Sequence, residues 1–241
     1  MSDRAPIRVG ISACLLGEEV RYDGGHKRDR FLTDTFGRFV EWVPVCPEVE
    51  AGFGTPRESM RLVERDGRLR LLTNKTAVDL TDRLTRWAHR RVDQLASEDL
   101  CGYILKKDSP SCGLERVKVY GAHGTGERRG QGLFATALRE RYPHLPMEEE
   151  GRLSDPRLRE HFIERVFAYR RLRDLFASRW TLGTLVQFHT AHKLTLMAHS
   201  IAAYQELGRL VAGAKRRSRA LVEREYVEGF MTALATMATP R

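Results

Sequence analysis

Three short apolar runs constrain what this chain can fold into more than any other feature. Residues 7–12, 42–45 and 103–105 are apolar segments of the kind that form buried parallel strands, and each leads into a loop holding one cysteine. Cys14 stands in Ser12-Ala13-Cys14-Leu15-Leu16-Gly17, Cys46 in Pro44-Val45-Cys46-Pro47-Glu48 and Cys112 in Ser109-Pro110-Ser111-Cys112-Gly113. Open α/β sheets bind ligands beyond the carboxyl ends of their parallel strands. If these runs are neighbouring strands, three thiols distant in sequence meet at one sheet edge. Cys101 precedes the third run and is expected at the opposite end. A lone buried cysteine is commonly an inert small hydrophobe. Three of them, each in a Gly- or Pro-containing loop after a strand, argue instead for a shared ligand.

The remaining pattern completes an α/β domain followed by helices. Residues 60–72 alternate around Asp66-Gly67, which predicts a hairpin. Leu84, Trp87, Ala88, Val92 and Leu95 recur at helical spacing over 81–95, with Asp79 as a candidate cap, and 133–142 reads as a further helix. The Pro- and Glu-rich stretch 143–156 marks a domain boundary. Beyond it, helices are expected over 157–177, 184–199, 200–212 and 218–237. The expected fold class is therefore α/β: a Rossmann-like, mostly parallel sheet domain over 1–147, then a smaller all-α domain over 148–241.

Charge separates the two halves. The 241 residues carry a net charge of +9, and residues 151–241 hold 16 Lys and Arg against 8 Asp and Glu. A basic helical domain suggests a polyanion partner. Lys215-Arg216-Arg217-Ser218-Arg219 is the densest basic run and a candidate phosphate contact, against a plain solvated helix end. No apolar run approaches the ~20 residues of a membrane helix, and residues 1–10 hold no signal-peptide core, so a cytoplasmic protein is expected. In that setting cysteines act as thiols or metal ligands rather than disulfides.

Three thiolates fit two chemistries. Zinc takes a fourth protein ligand when structural or a water when catalytic. A 4Fe-4S cluster on three cysteines leaves one iron open as a Lewis acid. Spacing alone does not choose between them.

The three cysteine motifs, together with Val20-Arg21-Tyr22-Asp23-Gly24, Gly54-Thr55-Pro56-Arg57 and Gly132-Leu133-Phe134, resemble the TudS-type thiouracil desulfidases over roughly residues 6–145. Phe188-His189-Thr190-Ala191-His192-Lys193-Leu194-Thr195 resembles the helical domain fused to that one in RudS-type RNA desulfidases. That domain commonly runs some tens of residues further, so a short or truncated form of it is expected here. The resemblance implies a 4Fe-4S cluster held by Cys14, Cys46 and Cys112, whose open iron takes the thiocarbonyl sulfur. Water then replaces the sulfur without net redox change. Glu48 maps onto the family's catalytic glutamate. Ser109, with Ser111 as second choice, maps onto its serine.

A carboxylate two residues from a ligand can take a proton from water, and a serine hydroxyl can hold the base. Arg21, Tyr22, Asp23, Arg57 and Lys106 are the candidate substrate contacts, against a role in fixing their own loops. Asp108 stands where the family more often has a basic residue, an entrance less welcoming to anions. The expected substrate is a thiolated pyrimidine base or nucleoside, with tRNA a further candidate through the basic helical domain. The rivals are cluster-dependent sulfur transfer into RNA and a zinc-stabilised RNA-binding module. The pair His189 and His192 reads as core or RNA-facing rather than metal-binding. Gly121-Ala122-His123-Gly124-Thr125-Gly126 lacks the Lys-Ser/Thr that a phosphate-binding loop requires.

Overall fold

The computed structural model describes residues 6–121, 124–177 and 179–239. The chain divides into two compact units, Met1–Pro156 and Arg157–Arg241. The first is built on a parallel sheet in the order β2 (Glu41–Val45), β1 (Arg8–Ser12), β5 (Leu100–Leu105) and β8 (Met147–Glu149). From β1 the chain crosses to β2 on one side and later to β5 on the other. That reversal beside β1 is where such sheets open a crevice. β5 is buried at every position, which explains its unbroken apolar run. Cys101 lies inside β5 rather than ahead of it, at its amino-terminal end and fully buried.

A second sheet runs in the order β4 (Arg68–Thr73), β3 (Met60–Arg65), β6 (Val117–Tyr120) and β7 (Gly126–Gly130). The β3–β4 hairpin turns at Asp66 and Gly67, both at positive φ (53° and 69°), the conformation that turn type demands. The Gly-rich stretch in the β6–β7 connection includes Ala122 and His123, which lie outside the described residues.

Among the helices of this unit, α1 (Pro47–Glu50) is a single turn, α2 (Thr81–Gln94) buries Leu84, Trp87, Ala88 and Val92, and α3 (Leu133–Arg141) buries Phe134 and Leu138. Asp79 sits one residue before the α2 cap position and accepts from the Thr81 backbone N–H at 2.9 Å. The stretch expected as a boundary contributes β8, which closes the free side of β5.

Gly10 pairs with Tyr103 across β1 and β5, and a methyl group there would lie 2.2 Å from the tyrosine ring. The ring is fully buried and meets Phe134 edge-on at 5.8 Å, so it has no room to withdraw. Gly10→Ala is therefore expected to cost at least about 1–3 kcal/mol of stability. The effect would be read as a lowered Tm; an unchanged Tm would show that the ring can move.

The second unit contains α4 (Pro156–Ala177), α5 (Leu182–Ala191), α6 (Lys193–His199), α7 (Ile201–Gly213) and α8 (Arg219–Ala235), around Leu172, Leu185, Leu196, Tyr226 and Phe230. Ser200 and Ser218 cap α7 and α8 through their side chains. The single helix expected over 184–199 breaks at His192. There the ring donates Nδ1–H to the Phe188 carbonyl at 2.8 Å and accepts from Arg171 Nε at 3.0 Å. His189 bonds the Tyr226 hydroxyl at 3.1 Å and lies parallel to Tyr204 at 5.1 Å. Both histidines thus serve the helical core.

Burial lowers the pKa of His161, His189 and His192, whereas Glu164 raises that of His199. A histidine with a depressed folded pKa contributes stability above its unfolded value of ~6.5 and loses it as pH falls. His199 has the opposite sign, so three groups oppose one. The unit is expected to melt lower at pH 5.5 than at pH 7.5. A higher Tm at pH 5.5 would show that the His199–Glu164 pair dominates.

Among the described residues no helix is long and apolar enough to cross a membrane.

Candidate active site

The loops that follow β1, β2 and β5 enclose a cavity of about 310 Å³ lined by Cys14, Cys46 and Cys112. Each thiol is placed by its own local structure. Cys14 sits in a 3-10 turn that ends at Gly17, whose φ of 101° glycine tolerates best. The segment 17–30 then folds back, and the Lys27 N–H donates to the Cys14 carbonyl at 2.9 Å. Cys46 is the N-cap residue of α1, so Glu48 falls in the first helical turn. Cys112 lies in a tight turn organised by Ser109, whose Oγ accepts from the Ser111 and Cys112 N–H groups at 3.2 and 3.0 Å. Gly132 lets the start of α3 close on that turn, since a methyl group there would lie 2.4 Å from the Ser111 carbonyl oxygen.

Burial pushes the Cys14 thiol up to about 11 and the Cys46 thiol up to about 12, with the Glu48 charge adding to both. Cys112 is raised well above its ordinary value for the same two reasons. Neutral pH therefore finds all three as thiols, and a metal centre would have to displace their protons on binding.

Glu48 is 8% exposed. Its Oε2 accepts from Cys46 Sγ at 3.6 Å and lies 3.8 Å from Arg57 Nη2. Arg57 donates to the Val20 and Gly54 carbonyls at 2.9 and 3.0 Å, so it fixes two loops and steadies Glu48 while lining the cavity.

Arg21, Tyr22, Lys106 and Ser109 also line the cavity. Asp23 does not, but it pairs with the Arg21 guanidinium at 3.3 Å and orients it. Lys106 is held by Glu150 at 2.5 Å, an ion pair that the one-dimensional pattern did not reveal. Ser111 is fully buried outside the cavity lining, and its hydroxyl has no hydrogen-bond partner among the described residues. Ser109 accepts two N–H groups and keeps its O–H proton for donation. Asp108 pairs with Arg128 at 2.7 Å, which holds its carboxyl below the usual range and balances its charge at the entrance.

Ser12, Lys27 and Lys107 also line the cavity. Ser12 is nearly buried, accepts from the Lys106 N–H at 3.0 Å, and offsets part of the rise in the Cys112 pKa. Its place at the carboxyl end of β1 was the signal available in the sequence. Lys27 had none, because only the fold-back of 17–30 brings it there.

Among the described residues no three His, Cys, Asp or Glu side chains form a group that could hold a metal ion. The three thiols instead border one open cavity. Soft sulfur donors spread around such a space suit a multi-iron cluster better than one zinc ion.

Comparison with known proteins bears on the same region. Residues 9–150 match the family described as 2-thiouracil desulfurase, and residues 193–241 match a family of unknown function (DUF1722). The uncharacterized protein YbbK of Bacillus subtilis (strain 168) is 30% identical over an alignment of 139 residues that covers 54% of this chain and 88% of YbbK. A solved structure, described as the 4Fe-4S-dependent thiouracil desulfidase TudS, aligns with a TM-score of 0.50 and 30% identity, covering 62% of this chain and 94% of its own. The family match spans more than half of the sequence and contains all three loops of the cavity: this chain belongs to the 2-thiouracil desulfurase family.

Proposed function

We propose that the first unit is a 4Fe-4S-dependent desulfidase that converts thiouracil, or thiolated uridine within RNA, to the oxo form with release of sulfide. The observation that carries this reading is the convergence of Cys14, Cys46 and Cys112 on one cavity with Glu48 beside them. The cofactor named for the TudS structure supports the cluster assignment. Cys14, Cys46 and Cys112 are the ligands. When bound, such a cluster supplies one iron without a protein ligand, a Lewis acid for the thiocarbonyl sulfur.

The chain's own residues do the rest. Glu48 takes a proton from the water that attacks the C=S carbon, and its nearly buried carboxylate is held for this by Arg57. Ser109 donates its O–H to the pyrimidine ring. Arg21, steadied by Asp23, and Lys106, steadied by Glu150, hold polar atoms of the substrate. The balance is one water consumed, one sulfide released and no electrons transferred.

The net +9 charge supports extending the substrate to RNA. In the second unit, however, Arg217 pairs with Glu225 and Arg219 lies over the Trp180 ring at 5.5 Å. Two cations of the 215–219 run are thus occupied within the fold. Incubation with thiolated RNA tests the reading against sulfur transfer in the other direction. A desulfidase releases sulfide and leaves uridine, whereas a sulfur-inserting enzyme leaves the thiolated RNA intact.

A further inference from the structure

Strand alternation gathers cations on one face of the second sheet. Alternate residues of a strand share a face. The registers Val63↔Arg70, Arg65↔Arg68, Val63↔Tyr120 and Lys118↔Arg128 put Arg61, Arg65, Arg68, Arg70, Lys118 and Arg128 together on the face opposite buried Leu62, Leu71, Val117 and Val119. Arg70 has Asp79 at 3.7 Å and Arg128 has Asp108 at 2.7 Å. Arg61, Arg65, Arg68 and Lys118 are exposed, and of these only Arg65 is near enough to a carboxylate among the described residues, that of Asp79, to help lower its pKa.

Two of the registers, Arg65↔Arg68 and Lys118↔Arg128, set like charges directly opposite each other. Such pairs destabilise a sheet. A bound polyanion would turn that cost into attraction.

A groove of about 510 Å³ opens on this sheet beside Arg61, Lys118, Tyr120 and Arg128, and it shares Met60, Asp108 and Pro110 with the thiol-lined cavity. Arg61 lies over the Tyr120 ring at 5.3 Å. That contact holds the guanidinium in place on the sheet beside the groove.

We propose that this face is the track for the phosphate backbone of single-stranded RNA, delivering a thiolated pyrimidine nucleotide to the cavity. The inference rests on the desulfidase reading of that cavity, RNA included, and adds to it the path by which the strand arrives. An acidic protein segment would match the charge but would have no use for a track that leads into the thiol-lined cavity.

The test compares the full chain with the triple variant Arg65→Gln, Arg68→Gln, Lys118→Gln, none of which lines the cavity. Binding of a labelled oligouridylate containing 4-thiouridine is followed by fluorescence anisotropy across a salt series, and free 4-thiouracil turnover is measured beside it. Removing three phosphate contacts should lower affinity about tenfold or more and reduce the slope of log affinity against log salt by about 2. Turnover of free 4-thiouracil should be unchanged, and the variant should melt no lower than the wild type. Unchanged affinity and slope would overturn the proposal. Wild-type binding of polyglutamate as tight as that of RNA, lost equally in the variant, would assign the face to an acidic protein and overturn it too. Failure of the wild type to turn over 4-thiouracil and to release sulfide from the bound oligonucleotide would refute the desulfidase reading alone, because the salt slope reads the track without chemistry.

Discussion

Replacing any one of Cys14, Cys46 and Cys112 by serine should abolish both the iron content and the desulfuration activity, whereas Cys101→Ser should preserve both. Losing a group that merely hydrogen-bonds to a metal ligand costs about 10–100-fold. Losing a ligand itself should cost at least about 100-fold in turnover. The three cysteines border one cavity, and Cys101 is fully enclosed at the other end of β5. Its serine variant buries a hydroxyl, at a cost of about 1–3 kcal/mol when uncompensated. The Asp99 carbonyl, 3.6 Å from Cys101 Sγ, is an acceptor that reduces this cost. Cys101→Ser should therefore lower Tm slightly while keeping full turnover per iron. Iron assay and thione absorbance on the four variants separate the outcomes, and loss of iron in Cys101→Ser would mean that the ligand set has been misread.

The second large effect is expected at Glu48. Glu48→Gln keeps the shape of the side chain and removes its charge and its basicity. If the carboxylate takes the proton from the attacking water, turnover should fall by about 10²–10⁴-fold. The iron content should not fall with it. Glu48 is the charge that, after burial, most raises the three thiols, so its neutralisation makes their deprotonation easier. Iron retained with turnover lost is the expected signature. A variant that keeps its turnover with an intact cluster would assign proton removal to another group. One that loses iron would give Glu48 a role in holding the site together.

The legible parts of the fold were those whose signal is local. Residues 8–12 of the first run form β1 and residues 103–105 lie within β5, because strands covered on both faces are written as unbroken apolar runs. Asp66-Gly67 marked its hairpin because positive φ at two successive residues selects those side chains. β7 escaped notice because Gly126-Glu127-Arg128-Arg129-Gly130 has no apolar alternation and exists as a strand only through its pairing with β6. β8, three residues long, is likewise defined by its neighbour β5. The break at His192 is a local change of the backbone (φ −100°, ψ 11°) between α5 and α6, which no periodicity encodes.

The site follows the same division. Cysteines at strand ends could be foreseen, since the sheet's own geometry gathers them. What anchors the cations could not: the Lys106–Glu150 and Arg57–Glu48 pairs span 44 and 9 residues, and each depends on loops meeting in space. The cationic face of the second sheet was hidden twice over. It needs the register of four strands, and the 1–150 segment is nearly neutral as a whole.

The most direct measurement is an anaerobic purification of the full chain, followed by iron and acid-labile sulfide assay and a time course of 4-thiouracil absorbance. The account predicts about four irons and four sulfides per chain, with loss of the thione band matched by released sulfide. A colourless protein that binds zinc instead of iron after reconstitution, and leaves the thione band unchanged, would contradict it.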